Sequence, residues 1–400
     1  MIAVILAAGE GSRMRPLTNT RSKVMLPVAN KPILEHLIVE AREAGVTDFV
    51  LVVGYHDEQI RDHFGDGRQW SVGITYASQR KQLGTADALR VLEGAIDRNF
   101  LMMNGDVMVS GADIKALIDS DRAAVSVIEV KDPRGLGTIE MKRGRVVKIH
   151  EKVQRPPTNL ANAGLYLLTP DIFAAVSQTP ASPRGEYEIT TSLQMMIDQG
   201  EKVWCHRINH WLDLSYPWHL LTANEALLSK MKAVTSGRIE ANVAISGTVS
   251  VGEGTTVRSG SYIVGPVLIG DNCDIGPNCF IRPYTSVGNH CHIGAAVEVK
   301  NSIIMNGSKI PHLNYVGDSV IGENCNLGAG TKIANLRLDE KEIVVGGSNT
   351  GRRKLGAVLG DGVKTGINAS INTGTMIGSG SFVGPGAVVS GIVSPDSKVF

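Results

Sequence analysis

The sequence lacks any CxxC pair, and its five cysteines (Cys205, Cys273, Cys279, Cys291 and Cys325) are odd in number and scattered. That argues against both a disulfide framework and a zinc site. An excess of either charge is missing as well: 40 Lys and Arg stand against 39 Asp and Glu, with no basic tail, which argues against a general nucleic-acid binder. Long apolar runs are absent. Met1 to Ala8 is apolar, but Gly9 and polar residues follow at once, too soon for a signal peptide or a membrane span, so a cytoplasmic location is expected. At 400 residues the chain exceeds one ordinary core, and two or three domains are expected.

The first glycine-rich stretch, LAAGEGSRMRPLTNTRSK from Leu6 to Lys23, also lacks things. It has no GK[ST] ending, so it is not a Walker-type loop, and Met14 stands where a dinucleotide fingerprint needs its third glycine. What it has is a short apolar run before it, an amphipathic run from Ile33 after it, and the order strand, loop, helix. Gly9 and Gly11 let the backbone bend and expose N–H groups to an anion. Arg13 and Lys23 bring positive charge to the same stretch, so a polyphosphate would fit.

LAAGEGSRM followed by SKVMLPVANKP resembles the signature of sugar-1-phosphate nucleotidylyltransferases, which join a nucleoside triphosphate to a sugar phosphate and release pyrophosphate. Glu10 departs from the lysine usual in the bacterial N-acetylglucosamine-1-phosphate uridylyltransferases. The resemblance implies that Leu6, Ala8, Gly9 and Gly11 line the nucleotide, and that Arg13 and Lys23 act on the reacting phosphates.

Up to about Gln199, apolar strands alternate with amphipathic segments: Phe49 to Val53, Ile74 to Ala77, Phe100 to Met103, Ala124 to Val130 and Leu165 to Leu168. This alternation predicts an α/β domain with a mostly parallel sheet, ligands sitting at the strands' carboxyl ends. QRKQLGT, from Gln79 to Thr85, follows one such strand; a glutamine amide matches a pyrimidine's donor–acceptor edge, and Gly84 permits close backbone approach. The resemblance carries base binding onto Gln79, Gln82, Gly84 and Thr85, without separating uracil from thymine. Asp106 ends the strand from Phe100, and Asp213 lies in HWLDL. Two hard carboxylates suit Mg²⁺, which keeps most of its waters and takes substrate phosphate oxygens, and the family holds its metal with such a pair. By the same match, Gly137, Glu151 and Asn162 would hold the sugar hydroxyls.

Beyond a helical segment from Tyr216 to Lys232, the period changes. Apolar residues recur every six positions, from Ile245, Val251, Val257 and Ile263 to Val299, and again from Leu359 to Val389. A six-residue period with small residues at the turns is a hexapeptide repeat, each hexad one short strand of a parallel β-helix. Cys273 and Cys279 occupy equivalent places in successive hexads, as small buried thiols would. The expected divisions are 1–228 for the nucleotidyltransferase domain, 229–240 for a linker and 241–400 for the β-helix. The register is expected to break between Val299 and Ile321 and again from Asn335 to Leu355, where functional loops are expected.

The repeat resembles the left-handed β-helix of acyltransferases, which usually trimerises. Its stretch from Lys300 to Lys341 resembles the acetyltransferase half of the bifunctional enzymes that make UDP-N-acetylglucosamine. The match implies His312 as general base, Tyr315 and Asn326 positioning the amino sugar, Arg282 and Lys300 its phosphate, and Ala329 a backbone contact to the acyl group. Asn335 and Lys341 would approach from a neighbouring chain. Leu336 stands where the bacterial motif has tyrosine, and the LRLDE variant looks archaeal. The implied enzyme is bifunctional, using acetyl-CoA, UTP and Mg²⁺, a homotrimer without nucleic-acid or membrane partners. The alternative is a single-function uridylyl- or thymidylyltransferase whose β-helix only oligomerises the chain; the two differ in whether thiol is released from acetyl-CoA in the presence of glucosamine-1-phosphate.

Overall fold

The strand Ile2–Ala7, apolar throughout, pairs in parallel with Asp48–Val53 on one side and Phe100–Asn104 on the other, and Gly73–Ser78 extends the sheet beyond Asp48–Val53. Both faces are covered, which is why these strands read as continuous apolar runs. Leu34, Leu37 and Ile38 of helix Ile33–Glu43 pack on one face with Ile114 and Leu117 of helix Gly111–Asp119. Helices Thr85–Arg90, Ile172–Gln178 and Ile189–Asp198 cover the other. The structure, a computed structural model, describes residues 1–400.

The rest of the sheet departs from the parallel pattern. Leu160–Leu168 runs antiparallel to both Phe100–Asn104 and Ala124–Glu129, and Thr138–Lys142 pairs antiparallel with Arg145–His150 at the edge. The mostly parallel sheet is therefore a mixed one. At that edge the cause is local: Arg143 and Gly144, at φ 52° and 76°, make the two-residue turn with both central residues left-handed that closes a tight hairpin.

By contacts the chain forms two compact units: Met1–Glu10 with Ser22–Met25 and Ile33–Asp213, and Gly11–Arg21 with Leu26–Pro32 and Leu214–Phe400. In the second unit, helix Pro217–Leu228 starts with proline at its first turn, where a missing N–H costs nothing. From Arg238 onward the strands stack in three parallel sheets, each coil giving one short strand to each sheet. The hexad residues point inward: Val257, Ile263, Ile275, Ile281 and Val299 are wholly buried in one continuous core. Asn272, Asn278 and Asn324 turn corners with φ near 54°, a conformation asparagine tolerates better than most residues. All five cysteines are free thiols, and Cys273 and Cys279 are buried in the core as expected of them.

The two expected register breaks differ. The first is not an inserted loop: Asp274 pairs with His292 eighteen positions on, but His292 with Lys309 and Lys309 with Asn326 only seventeen on, so two successive coils are each a residue shorter and the stack continues. The second is an insertion. Ile321 pairs with Leu359, and between them a bridge from Leu336 to Lys354 and a hairpin of Val344–Val345 with Ser348–Asn349 leave the stack. No helix of the chain is long and apolar enough to cross a membrane.

Candidate active sites

In the first unit the strand ends converge. Gly105 donates its N–H to the Leu6 carbonyl at 2.9 Å, and a Cβ on Gly105 would stand 2.7 Å from that oxygen, so only glycine lets this turn close against the end of the first strand. Asp106 follows at once, its Oδ2 2.6 Å from Lys23 Nζ, with the lysine side chain 10% and the aspartate 34% exposed. The strand Trp211–Asp213 pairs with Val107–Val109 so that Asp213 lies opposite Val107, beside Asp106. Asp106, Asp213 and Lys23 thus meet although far apart in sequence. Trp211 fixes the ribbon further by donating its indole N–H to the Ala163 carbonyl at 2.9 Å.

Ala8 lies at the same end, its carbonyl accepting from Tyr55 N–H at 3.1 Å, while Gly9 is exposed. Gln79 is buried, its amide nitrogen donating to the Gly84 carbonyl at 3.1 Å and to Asp87 at 2.8 Å. Gln82 donates to the Gln79 carbonyl at 3.4 Å. Gly84, at φ 116°, presses its backbone on Tyr187, whose carbonyl would stand 2.5 Å from an added Cβ. Thr85 does not cap its helix by side chain; its hydroxyl accepts from Ile189 N–H at 2.9 Å.

Gly137, Glu151 and Asn162 are also brought together. A Cβ on Gly137 would lie 3.3 Å from Glu151 Oε2 and 3.6 Å from Asn162 Cβ, and Asn162 donates its N–H to the Gly137 carbonyl at 2.9 Å. Asn162 Nδ2 donates to the Tyr166 hydroxyl at 2.7 Å. Sequence reasoning missed what surrounds Glu151: Thr190 donates to it at 2.9 Å, and Arg184 spans Glu151, at 3.2 Å, and Glu188. Burial, with the Glu151 charge next, holds the Glu188 carboxyl above its ordinary range. The SPRGEYEIT stretch from Ser182 to Thr190 carries these groups, and its density of charge before a helix was the available signal.

Gly11 and Arg13 belong to the second unit. Gly11, at φ 65° and ψ 41°, opens the short helical turn Ser12–Met14, and its carbonyl accepts from the Thr18 hydroxyl at 2.9 Å. Arg13 is exposed, its guanidinium 5.4 Å from the centre of the Tyr216 ring, which stacks on Trp218.

On the β-helix the candidate residues follow the register. Phe280, Glu298, Tyr315 and Lys332 are successive rungs of one sheet, with Lys300 beside Gly317. Arg282 Nη1 lies 2.8 Å from Glu298, Lys300 Nζ 3.4 Å from Asp318, and Asn335 Nδ2 donates to Asp318 at 2.5 Å, so Asn335, expected to approach from a neighbouring chain, joins the cluster of its own chain. A Cβ on Gly317 would stand 2.7 Å from both Tyr315 Oη and Asn335 Nδ2, so this glycine makes room for them. Burial, then the Glu298 and Asp318 charges, raise the Tyr315 hydroxyl pKa. Glu298 and Asp318 were missed in the sequence because each meets its basic partner only about one coil away.

His312 ends the strand Lys309–His312 on the neighbouring sheet and is exposed; the turn through Leu313 and Asn314 separates it from Tyr315. Ala329 lies on the next coil at the same corner, where Gly330 donates its N–H to the His312 carbonyl at 3.0 Å. Asn326 pairs with Lys309 on that coil. Lys332 Nζ donates to the Leu313 carbonyl. Lys341 lies in the insertion, exposed, with its N–H 3.3 Å from Asp339.

The Nucleotidyl transferase family profile matches residues 2–230, and the GMPPB C-terminal domain profile matches residues 263–379. The chain is 40% identical to the bifunctional protein GlmU of Methanococcus maripaludis, over 100% of this chain and 97% of that one. It is 39% identical, over 98% of this chain and 97% of the relative, to a bifunctional sugar-1-phosphate nucleotidylyltransferase/acetyltransferase of Sulfurisphaera tokodaii. A crystal structure of UDP-glucose pyrophosphorylase complexed with UDP-glucose shares the fold at TM-score 0.52 and 24% identity, covering 57% of this chain and 99% of that one. The chain belongs to the family of bifunctional sugar-1-phosphate nucleotidylyltransferases/acetyltransferases.

Proposed function

We propose that the chain makes UDP-N-acetylglucosamine in two steps, acetylating glucosamine-1-phosphate with acetyl-CoA and then joining the product to UMP from UTP. The observation that carries this reading is the ladder of Arg282, Lys300, Tyr315 and Asn335 along one face of the β-helix, with His312 at the adjoining corner. A module serving only oligomerisation has no need of it, and the full-length relatives named for both activities do not favour that alternative.

In the acetyl transfer, residues 241–400 do the work. The amine of the sugar attacks the thioester carbonyl; a C–N bond forms, the C–S bond breaks, the CoA thiolate leaves and the His312 imidazole takes the amine proton. Arg282 and Lys300 hold the sugar phosphate, Tyr315, Asn326 and Asn335 orient the ring, Ala329 contacts the acyl group, and Lys341 extends from the insertion.

In the nucleotidyl transfer, residues 1–228 do the work, with 229–240 as the link. A phosphate oxygen of the sugar phosphate attacks the α-phosphorus of UTP, the α–β bridging P–O bond breaks and pyrophosphate leaves. No protein nucleophile is involved, so positioning and charge do most of it. Lys23 and Arg13 balance charge on the reacting phosphates, with Leu6, Ala8, Gly9 and Gly11 along the nucleotide. Gln79, its amide nitrogen engaged by Gly84 and Asp87, is left with its carbonyl oxygen to accept the N3–H of a uracil or thymine, while Gln82 and Thr85 shape the loop. Gly137, Glu151 and Asn162 hold the sugar hydroxyls. Asp106 and Asp213, two hard carboxylates at one end of a short ribbon, are a donor set fitting Mg²⁺. The bound ion would neutralise triphosphate charge.

The chain assembles as a homotrimer through its β-helix, where outward residues such as Val388 and Ile392 are 70% and 68% exposed. Light scattering checks the mass. Pyrophosphate release across nucleotides and sugar phosphates, beside thiol release from acetyl-CoA with glucosamine-1-phosphate, tests the two reactions. A thiol rate no higher than that of a sugar-free control would sink the second.

A further inference from the structure

Lys23 sits in a four-residue stretch, Ser22–Met25, flanked on both sides by stretches that belong to the same compact unit as the β-helix, Gly11–Arg21 before it and Leu26–Pro32 after it. Each flank is fastened within that unit. Before Lys23, the Arg21 side chain is only 10% exposed, with Nη1 3.0 Å from Glu323 Oε1 and Nη2 2.5 Å from Asp361 Oδ2. The Thr20 hydroxyl donates to the same Asp361 oxygen at 2.5 Å. Glu323 and Asp361 stand on successive coils and are themselves tied, Glu323 N–H donating to Asp361 Oδ1 at 2.7 Å. After Lys23, Ala29 N–H donates to Asn224 Oδ1 at 2.9 Å, Asn224 Nδ2 to the Tyr284 carbonyl at 2.9 Å, and Asn30 Nδ2 to the Val287 carbonyl at 2.7 Å.

A guanidinium taken out of water between two carboxylates is a costly arrangement to maintain, and breaking it leaves an uncompensated buried charge. Burial alone would lower the Arg21 pKa, but Glu323 and Asp361 more than offset this and the net shift is upward, so the group stays charged. General stability does not require such a device at the edge of a phosphate loop, because apolar packing of equal volume is commonly as stable. A fixed geometry does: the two residues from Arg21 to Lys23 leave the chain little freedom, and transfer without a protein nucleophile depends on where the lysine charge stands.

We propose that Arg21 is a positioning residue for nucleotidyl transfer: held by Glu323 and Asp361 of the β-helix, it fixes the chain two residues before Lys23. The β-helix then has a part in the first reaction as well as the second. The inference rests on the nucleotidyl transfer proposed above.

The test uses the full-length chain with Arg21→Lys, Glu323→Gln, Asp361→Asn and the double Glu323→Gln/Asp361→Asn variant. Pyrophosphate release, thiol release and the thermal midpoint are measured on each preparation. The expected result for the double variant is a kcat for pyrophosphate release lower by roughly tenfold to a hundredfold, the scale of a misplaced catalytic group. KM for UTP changes little and thiol release is retained. Arg21→Lys, which keeps the charge but loses the two-pronged contact, falls in between. An unchanged kcat in the double variant overturns the proposal, as does a rise in KM alone. So does loss of both activities in the same proportion, which marks plain loss of folded protein. A wild-type chain that released no pyrophosphate would instead overturn the reading on which the proposal rests.

Discussion

The two clusters assemble polar groups by opposite means. On the sheet, Lys23, Asp106 and Asp213 come from three distant places and meet because strand ends converge; Gly105, pressed on the Leu6 carbonyl, is what lets them. On the β-helix, Glu298, Tyr315 and Lys332 meet because each is one coil from the next, and little more than the register is needed. A site of the first kind depends on a few close backbone approaches and a half-buried ion pair. One of the second kind depends on coil length, which falls from eighteen residues to seventeen in the two coils that carry these rungs.

The sharpest test of this separation is to remove one side chain from each cluster. His312→Ala should lower thiol release by about a hundredfold or more, the usual worth of a general base, and leave pyrophosphate release untouched. Equal thiol rates in wild type and variant would take His312 out of the mechanism. Lys23→Ala should do the reverse, costing nucleotidyl transfer on the order of a hundredfold, or roughly 3 kcal/mol, as for the loss of one preorganised donor. Because Asp106 then loses its partner at 2.6 Å, the variant's response to added Mg²⁺ should also change. Undiminished pyrophosphate turnover would exclude the lysine.

The β-helix was the more legible region. Its period is written in the inward residues, and Ile263, Ile275 and Ile281 are buried as the hexads require. The strand-end position of Asp106 could be read as well, since an apolar strand precedes it. The antiparallel half of the sheet could not: Arg143–Gly144 carries no Asn or Asp to mark the turn, and short strands such as Trp204–Arg207 resemble loops in isolation. Partners such as Asp318 for Lys300 were hidden for another reason. A charge seventeen or eighteen residues away becomes a neighbour only once the coil length is known, and that length changes by one residue at the place that matters.

Glycine substitutions sharpen the contrast at smaller magnitude. At Gly84 an added Cβ meets Tyr187 backbone at 2.5 Å and φ is 116°, so Gly84→Ala should lower stability by about 1–3 kcal/mol together with nucleotidyl transfer. At Gly317 the Cβ meets only side-chain ends, Tyr315 Oη and Asn335 Nδ2, each at 2.7 Å. Gly317→Ala should therefore raise KM for the amino sugar roughly tenfold, or about 1.4 kcal/mol, with the thermal midpoint nearly unchanged. Reversed outcomes, a stable Gly84→Ala and an unfolded Gly317→Ala, would break the distinction between backbone-built and register-built sites.

The smallest effect concerns the support of Asp213. Buried Asp113 accepts the N–H of Asn209 at 3.0 Å and of His210 at 3.0 Å, just ahead of the strand Trp211–Asp213, and the Ser110 hydroxyl at 2.6 Å. Burial pushes the Asp113 carboxyl up, but these bonds pull it further down, leaving it below the ordinary value of about 4. With a folded pKa below the unfolded one, the native state binds fewer protons. The group's contribution is then complete above the unfolded value and is lost as pH falls through the folded one. Asp113→Asn should cost about 1–2 kcal/mol near neutral pH, and less when both proteins are compared in acid where the carboxylate is protonated. Urea midpoints of the two chains at neutral and acid pH measure this. A gap of the same size at both would mean that the charge on Asp113 contributes nothing and that the amide oxygen of asparagine fails for reasons of shape.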